Sequence, residues 1–448
     1  DEKISIFPGP LRFFRDDYEK EILHQRRHRQ NGIAIIPGAN GDDFNLFRHR
    51  KGLSRRLAAL VKKGEYRLSP MVRYRINVDD KVRILYRQAP LDIIVSRVLF
   101  RIVTDRMASF LSDRVFSYRK GMSGISAIAQ LHRFVVAHIA ARPDRQTRGL
   151  YVLKRDISLY SESIATDPSS RLWSLLEEVF RRDQSFSRQH FFWTLLQAIM
   201  RPRIVDEDGE EKLLEIGVPS GTTLQTVACN LYLNDLDRRL EGIDGGFYAR
   251  YGDDFIFVHP DWEVARQVAG LIDEQVATLR LSMKPAKVKN QYFTGPGRPS
   301  SEWREAIPSS VIEYLGYRLS FGGSVGLKKD KARRLQQDIR ARLSATLKLL
   351  RDEPREVRLQ AACDAVNAAL DPHSPLCQRN AAMLAFIIND RRQLRHLDYL
   401  IALEVARAAS GVKGVRAFRQ VPYRELRGHY GLHSLVHARN CIGRGERA

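Results

Sequence analysis

Two adjacent aspartates, Asp253 and Asp254, lie between two segments in which aromatic residues alternate with other side chains. Alternation with a period of two is typical of β-strands, and residues 247–251 and 254–258 both show it. Gly252 and Asp253 connect the segments, and a two-residue connection with glycine first favours a type II′ turn. The pattern therefore predicts an antiparallel hairpin with Asp253 at its tip and Asp254 at the start of the return strand.

Two neighbouring carboxylates on such a hairpin are costly. Like charges about 4 Å apart repel each other unless a cation neutralises them. Two divalent ions about 3.5–4 Å apart would do so, and they need carboxylates from at least two segments of the chain. The alternative is a polar hairpin tip in solvent, where Asp and Gly are common.

A third aspartate, Asp156, supplies the second segment. Residues 150–153 form an apolar run that predicts a buried strand, and Asp156 lies at its end. An acid at this position of a basic protein favours a metal site shared with Asp253 and Asp254. The hypothesis requires Asp156 to lie beside the hairpin, and it requires that no lysine fill the gap between them.

The charge balance points to a polyanionic partner. The 448 residues include 74 Lys and Arg against 52 Asp and Glu, which gives a net charge of +22. A basic surface binds phosphates through the release of counterions, so nucleic acid is the predicted partner. The alternative is a basic protein without that role.

Other features bound the class of protein. A composition of 44% hydrophobic residues predicts a globular chain. No apolar run approaches the roughly 18 residues of a membrane span. The four cysteines form no C-x-x-C pair, which fits a reducing, cytoplasmic setting.

The end of the chain differs in kind from the rest. Leu335, Ile339, Leu343, Leu347 and Leu350 share one stripe of a predicted long helix. Residues 331–448 contain 22 Lys and Arg and 11 Asp and Glu, half of the net charge in about a quarter of the chain. We place a domain boundary near Gly322-Gly323 and interpret the remainder as a basic helical nucleic-acid clamp. A solvated charged face is the alternative.

Tyr251-Gly252-Asp253-Asp254 resembles the Y-x-D-D signature of reverse transcriptases. Other segments resemble the family's remaining palm motifs in the same order, namely residues 156–164, 217–233, 279–289 and 313–319. Residues 81–99 and 116–124 resemble the fingers blocks of bacterial retron, group II intron and defence-associated enzymes. The resemblance covers roughly residues 73–321, over half of the chain.

The resemblance implies a catalytic centre with Mg²⁺, for which Mn²⁺ is an alternative. Asp156 and Asp253 would hold two ions, Asp254 would support them, and the Ile157 carbonyl would help to bind the ion on the nucleotide side. Lys287 would lie near the leaving pyrophosphate as an electrostatic partner or general acid. An ordinary surface lysine is the alternative for Lys287.

The resemblance also implies nucleotide contacts outside the metal centre. Arg83 and Lys81 would bind the incoming triphosphate from the fingers, as phosphoryl transfer requires; ordinary exposed strand residues are the alternative. Pro219 and Gly221 would shape the loop under the nascent base pair. Asn230 would support that loop through hydrogen bonds.

Two departures from the family concern the nucleotide pocket. Reverse transcriptases commonly carry a bulky aromatic residue five positions after the first aspartate, where it excludes a 2′-hydroxyl; this chain has Ser161 there and Tyr160 one position earlier. The usual Gln of the P-Q-G segment is Ser220. We expect altered sugar selection unless Tyr160 or another side chain supplies the wall, and altered template handling.

Residues 418–440 mix cations with aromatic and histidine side chains, which both stack on unpaired bases. The segment resembles the C-terminal tails of defence-associated bacterial reverse transcriptases. Those tails bind a noncoding RNA or drive self-association. An RNA partner, and self-association or a partner polymerase, are therefore expected.

Together these features predict an α+β right-hand polymerase. An N-terminal extension (1–70) and fingers (71–141) precede a palm with an antiparallel sheet (142–322) and interleaved fingers elements; a helical, basic, thumb-like module (323–448) follows. The expected activity is RNA-directed addition of dNTPs to a 3′-hydroxyl with a DNA product, in bacterial antiphage defence. One alternative is a template-independent or protein-primed polymerase with relaxed sugar selection; another is an inactive nucleic-acid-binding scaffold.

Overall fold

The computed structural model describes residues 50–78, 81–181, 191–295, 297, 300–370, 387–436 and 439. The alternating pattern of residues 72–87 predicts two strands with a turn at Asp79-Asp80, and these two aspartates lie outside the described residues. Within them, no helix is both long enough and apolar enough to cross a membrane.

Helices and strands alternate irregularly along the chain. The first part contains α1 (Arg50–Lys63), β1 (Met71–Val78), β2 (Lys81–Arg87), α2 (Pro90–Met107), α3 (Gly124–Ala140), β3 (Leu150–Asp156), α4 (Tyr160–Ser163), α5 (Arg171–Phe180) and α6 (Phe191–Met200). The middle contains β4 (Arg203–Val205), β5 (Glu211–Leu213), α7 (Thr223–Leu231), α8 (Asn234–Glu241), β6 (Phe247–Tyr251), β7 (Asp254–His259), α9 (Trp262–Thr278) and β8 (Lys289–Phe293). The last part contains β9 (Ile307–Ser309), β10 (Val311–Tyr314), β11 (Tyr317–Ser320), β12 (Val325–Leu327), α10 (Lys329–Leu349), α11 (Arg355–Leu370), α12 (Arg391–Ser410), α13 (Ala417–Gln420) and α14 (Tyr423–Gly428).

A five-stranded sheet with the order β6-β7-β3-β8-β9 carries the predicted hairpin. β6 and β7 are antiparallel with Tyr251 opposite Asp254. Gly252 has a φ of +67°, the positive value that a type II′ turn needs at its first central position. The hairpin and the buried strand before Asp156 are therefore confirmed.

The central strand β3 is covered on both faces. Tyr151 and Leu153 belong to a core formed with helices α2, α5, α6, α7 and α9. Leu150 and Val152 belong to a second core, which extends into α3 and the C-terminal helices. Burial on both faces accounts for the uninterrupted apolar run in residues 150–153.

A second sheet, of order β2-β1-β4-β5, joins segments far apart in sequence. β1 and β2 are antiparallel, and β1 runs parallel to β4 with Met71 opposite Ile204. The Tyr86 N–H of β2 donates to the Ser220 carbonyl at 2.9 Å. This bond connects the edge strand to the loop that precedes α7.

The C-terminal part is mostly helical. Leu335, Ile339, Leu343 and Leu347 form the buried stripe of α10, as predicted from their spacing, but the helix ends at Leu349, so Leu350 of the predicted stripe lies just beyond it. The module is not entirely helical, because β12 follows the boundary placed at Gly322-Gly323 and pairs with β11. Three residues are too few to show an alternating pattern, so this strand depends on its partner rather than on a sequence signal.

Candidate active site

Asp156 and Asp254 are direct cross-strand partners at the ends of β3 and β7. Asp253 occupies the adjacent turn, and its carbonyl accepts a hydrogen bond from the Ile157 N–H at 3.2 Å. Asp156 is 4% exposed, whereas Asp253 and Asp254 are half-buried. The first requirement of the metal hypothesis, that Asp156 lie beside the hairpin, is therefore met.

The second requirement is not met, because lysines lie at the carboxylates. The Lys284 ammonium is 2.5 Å from Asp156 Oδ1 and 3.6 Å from Asp253 Oδ2. Lys287 forms an ion pair with the other carboxylate oxygen of Asp156. Both lysines belong to the segment around a short 3-10 turn, Pro285–Lys287. Asp156 is thus neutralised by two ammonium groups, and Lys284 also reaches the hairpin tip.

Asp254 has a different environment from Asp156. Burial raises the pKa of Asp254 to about 6, and the carboxylates of Asp156 and Asp253 add to the rise while Lys154 and Lys287 oppose it. An adjoining cavity of about 210 Å³ is lined by Asp254, Glu313 and several lysines, namely Lys154, Lys287, Lys289 and Lys328. The pKa of Lys154 is lowered by burial, which disfavours its charged form. Cationic side chains therefore outnumber acidic ones in the lining of the cavity.

The donor set fits a hard divalent cation. The three side chains offer only carboxylate oxygens, the ligands that Mg²⁺ prefers. One oxygen each of Asp156 and Asp253 lies within 4 Å of a single ammonium nitrogen, so these side chains already create a cation position. Among the described residues, no three acidic, His or Cys side chains are already grouped as metal ligands.

A buried ion pair supports the turn from below. Arg250 donates to both carboxylate oxygens of Asp237, and Tyr248 donates to Oδ1 of the same carboxylate. Arg250 also donates to the Gly252 carbonyl at 3.1 Å, directly before Asp253. Burial alone would lower the pKa of Arg250, but the charge and hydrogen bonds of Asp237 raise it. No motif in the sequence pointed to this pair; its signal is an arginine at an otherwise apolar strand position.

Asn230 supports the turn rather than the loop at Pro219 and Gly221. The fully buried Asn230 side chain accepts from Ser117 Oγ and donates to the Ser117 carbonyl, both at 2.9 Å. Ser117 Oγ in turn accepts from the Gly252 N–H at 3.0 Å. A buried amide must satisfy its hydrogen bonds locally, so Asn230 does not line a nucleotide pocket. The supporting role of Ser117 was not predicted from the sequence.

The two departures from the family pattern contact each other. Ser161 Oγ and Ser220 Oγ are 3.1 Å apart, and Gln225 accepts from the Gly221 N–H at 3.0 Å. Gly221 has a φ of +97°, a conformation that favours glycine. Pro219 is buried, and its carbonyl accepts from Thr222 Oγ1. The structure therefore brings Ser161 together with the loop of residues 219–221.

Tyr160 does not take the place of the aromatic side chain that, by the family resemblance, would exclude a 2′-hydroxyl. Its ring is buried in the core, and its hydroxyl donates to the Cys229 carbonyl at 2.7 Å. Burial raises the pKa of Tyr160 well above its ordinary value. The expectation of a nucleotide contact is therefore wrong for this side chain, because its hydroxyl is satisfied inside the core.

The two cations predicted to bind the triphosphate lie on β2, the strand that meets the Ser220 loop. Arg83 is exposed on β2, three positions before Tyr86 and therefore about 10 Å along the strand from the bond to Ser220. Lys81 is the first residue of β2. Ile157 is fully buried, its backbone included.

The C-terminal aromatic segment is largely packed. Tyr430 is buried against the second core, whereas Tyr423 stays exposed. Asp398 of α12 accepts from Ser434 Oγ and the Leu435 N–H. Base stacking by Tyr430 is therefore ruled out by its position in the core.

No protein-family model and no curated protein matches the chain. Among solved structures, apo telomerase from Candida tropicalis, truncated from its C-terminal domain, is similar at 10% identity and a TM-score of 0.42, over 62% of this chain and 60% of that one. Telomerase from Candida albicans with a TWJ fragment of telomeric RNA is similar at 11% identity and a TM-score of 0.42, over 85% and 67%. The corresponding Candida tropicalis complex is similar at 12% identity and a TM-score of 0.46, over 86% and 68%.

Proposed function

We propose that this chain is a nucleotidyltransferase of the reverse-transcriptase type that adds deoxynucleotides to a nucleic-acid 3′-hydroxyl. The observation that carries the proposal is the direct pairing of Asp156 with Asp254 beside the Asp253 turn. Three carboxylates from two segments, at the adjoining ends of two neighbouring strands, are what a divalent-cation site for phosphoryl transfer requires.

Asp156, Asp253, Asp254 and the Ile157 carbonyl would hold two Mg²⁺ ions, or Mn²⁺ in their place, only after the Lys284 ammonium has left the gap between Asp156 and Asp253. When bound, these ions supply charge neutralisation at the reacting phosphate and a more nucleophilic 3′-oxygen. The buried Arg250–Asp237 pair and the Ser117–Asn230 bonds would hold the turn in position during the reaction.

The cations around the site would bind the phosphates. Burial lowers the pKa of Lys287, but the bond and charge of Asp156 outweigh it and raise that pKa, so Lys287 carries a proton at neutral pH that it can donate to the leaving group. Arg83 and Lys81 would approach the triphosphate from β2. The charge of +22 favours an RNA partner, and a role in antiphage defence stays a prediction.

Two observations favour the other candidates. Lys284 between Asp156 and Asp253 favours an inactive nucleic-acid-binding scaffold, in which an ammonium permanently replaces the metal. The small hydroxyl pair Ser161–Ser220 favours a polymerase with relaxed sugar selection that needs no conventional template.

Primer extension with each dNTP and Mg²⁺, with and without RNA, tests the proposal. We expect extension by the unmodified protein and at least a hundredfold loss in Asp253→Asn. Asp208→Asn, at an exposed turn between β4 and β5, is the matched control and should retain activity. Product only with RNA identifies reverse transcription, and product without it identifies the template-independent candidate. Absence of product under every condition, with equal RNA binding by the unmodified protein and Asp253→Asn, would establish the scaffold instead.

A further inference from the structure

Lys284 is held at the acidic site by its backbone as well as its side chain. Its N–H donates to the Asp156 carbonyl at 2.9 Å, and the neighbouring Ser158 N–H donates to the Ser282 carbonyl at 2.8 Å. These bonds set the position of residue 284 relative to the end of β3. The ammonium group is therefore delivered to Asp156 by the fold.

The position of this ammonium coincides with the one that a metal would need. Lys284 Nζ bridges Asp156 Oδ1 and Asp253 Oδ2, the two side chains proposed as shared ligands. A divalent cation coordinated by the same oxygens would lie about 2.0–2.1 Å from each if it were Mg²⁺. Two cations at one position repel each other strongly, so the lysine and the metal exclude each other.

Burial explains why Asp156 needs a counter-ion without metal. The Asp156 side chain is 6% exposed, and an unpaired buried charge is strongly destabilising. The Lys284 side chain is 39% exposed and has a flexible four-carbon stem, so its ammonium can move into water. Lys284, one of the two ammonium partners of Asp156, can therefore be replaced by another cation without unfolding of the sheet.

We propose that Lys284 is an internal counter-ion that stabilises Asp156 in the metal-free protein and competes with divalent cations for the Asp156–Asp253 position. This inference rests on the proposed function, since it assumes that these carboxylates bind metal. Lys284 thus lowers the affinity of the site for divalent cations and stabilises the site when no metal is bound.

Manganese binding to the purified protein without nucleotide, followed by electron paramagnetic resonance, tests the competition directly. We expect Lys284→Met to lower the Kd for Mn²⁺ at least tenfold, equivalent to about 1.4 kcal/mol. Lys284→Arg keeps the charge and should bind Mn²⁺ no more tightly than the unmodified protein. Lys289→Met, a lysine of the same cavity whose described contacts include no ion pair with Asp156 or Asp253, should also leave Mn²⁺ binding unchanged.

Thermal unfolding supplies a second readout that does not depend on catalysis. In EDTA, Lys284→Met should unfold at a lower temperature than the unmodified protein, because Asp156 has lost a counter-ion. Saturating Mn²⁺ should raise the unfolding temperature of this variant by more than that of the unmodified protein. Lys284→Gln serves the same comparison if the methionine variant is not recovered folded.

The outcomes separate the two proposals. Equal Mn²⁺ affinity of the unmodified protein and of the variants that remove the Lys284 charge, Lys284→Met and Lys284→Gln, overturns the role of Lys284 while leaving the metal site intact. Absence of Mn²⁺ binding in the unmodified protein and in every neutral variant overturns the metal site itself. Tighter binding in the neutral variants alone supports the competition.

Discussion

Asp237 and Arg250 form an ion pair with an N–O distance of 2.6 Å in which neither side chain is exposed to solvent. The pair lies between α8 and β6, and Arg250 extends it to the carbonyls of Cys229, Asn230 and Gly252. Because Gly252 precedes Asp253, this pair connects the core of the protein to the candidate catalytic turn.

Removing one partner of this pair should be severely destabilising. Arg250→Met leaves the Asp237 carboxylate buried without its cation, and we expect a loss of about 3–5 kcal/mol in the free energy of unfolding. The double variant Asp237→Leu, Arg250→Met should recover part of the loss, because no unpaired charge remains. Urea denaturation measures both values, and a loss below about 1 kcal/mol in the single variant would contradict a structural role for the pair.

The Ser161–Ser220 contact should permit ribonucleotides. The side chain at Ser161 is small, and Tyr160 is committed to the core through its bond to Cys229. If the position acts as the family resemblance implies, Ser161→Phe should lower ribonucleotide incorporation relative to deoxynucleotides by about tenfold or more. Single-nucleotide addition assays measure the ratio, with Ser161→Ala as the control that keeps the side chain small. An unchanged ratio in Ser161→Phe would remove Ser161 from the pocket.

Gly217 should tolerate no side chain. Its φ is +86°, and a Cβ there would lie 2.7 Å from the Glu162 carbonyl oxygen, which belongs to α4. Gly209 has a similar φ of +80° but open space around it, so it is the matched control. We expect Gly209→Ala to cost about 1 kcal/mol for the backbone conformation and Gly217→Ala at least about 2 kcal/mol more because of the clash. Equal losses of stability in chemical denaturation would show that the loop can move away from α4.

His138 should make the stability depend on pH. The side chain is 7% exposed on α3, and burial, helped by the charge of Arg142, lowers its pKa from 6.5 to about 4. Below pH 6.5 the unfolded chain therefore binds a proton that the folded protein excludes, so stability falls as the pH decreases towards 4. The expected contribution between pH 7 and pH 5 is about 2 kcal/mol.

The comparison with His138→Gln isolates this contribution from that of the carboxyl groups. Urea denaturation at pH 7 and pH 5 should show a smaller decrease in the free energy of unfolding for the variant than for the unmodified protein. Equal decreases in the free energy of unfolding of the two proteins would mean that the folded protein also protonates the His138 ring at pH 5.

Local patterns were sufficient for the elements that carry the acidic residues. Alternation and a glycine-first turn predicted β6 and β7, and the apolar run predicted β3 with Asp156 at its end. The stripe of leucines predicted α10 in the same way. These elements are predictable because each one has an apolar pattern of its own that must be buried.

Contacts between distant segments were not predictable in the same way. The roles of Ser117 and Asn230, separated by 113 positions, follow from the packing of the loop at Ser117 against α7, which carries Asn230. Tyr160 and Ser161 are adjacent in sequence, yet one enters the core and the other faces Ser220. The strand β12 exists because β11 offers it hydrogen bonds.

The amino-acid order by itself determined β3, β6, β7 and α10, where the three aspartates lie on these strands and their turn, and that the chain carries a large excess of positive charge. Only the tertiary structure decided what neutralises those aspartates. Lys284 is 128 positions from Asp156. The two meet because β8 pairs with β3, which places the turn before β8 next to the end of β3 where Asp156 lies. Charge pairing acts through space, over a few ångströms, so it depends on how the strands assemble rather than on the order in which the residues occur.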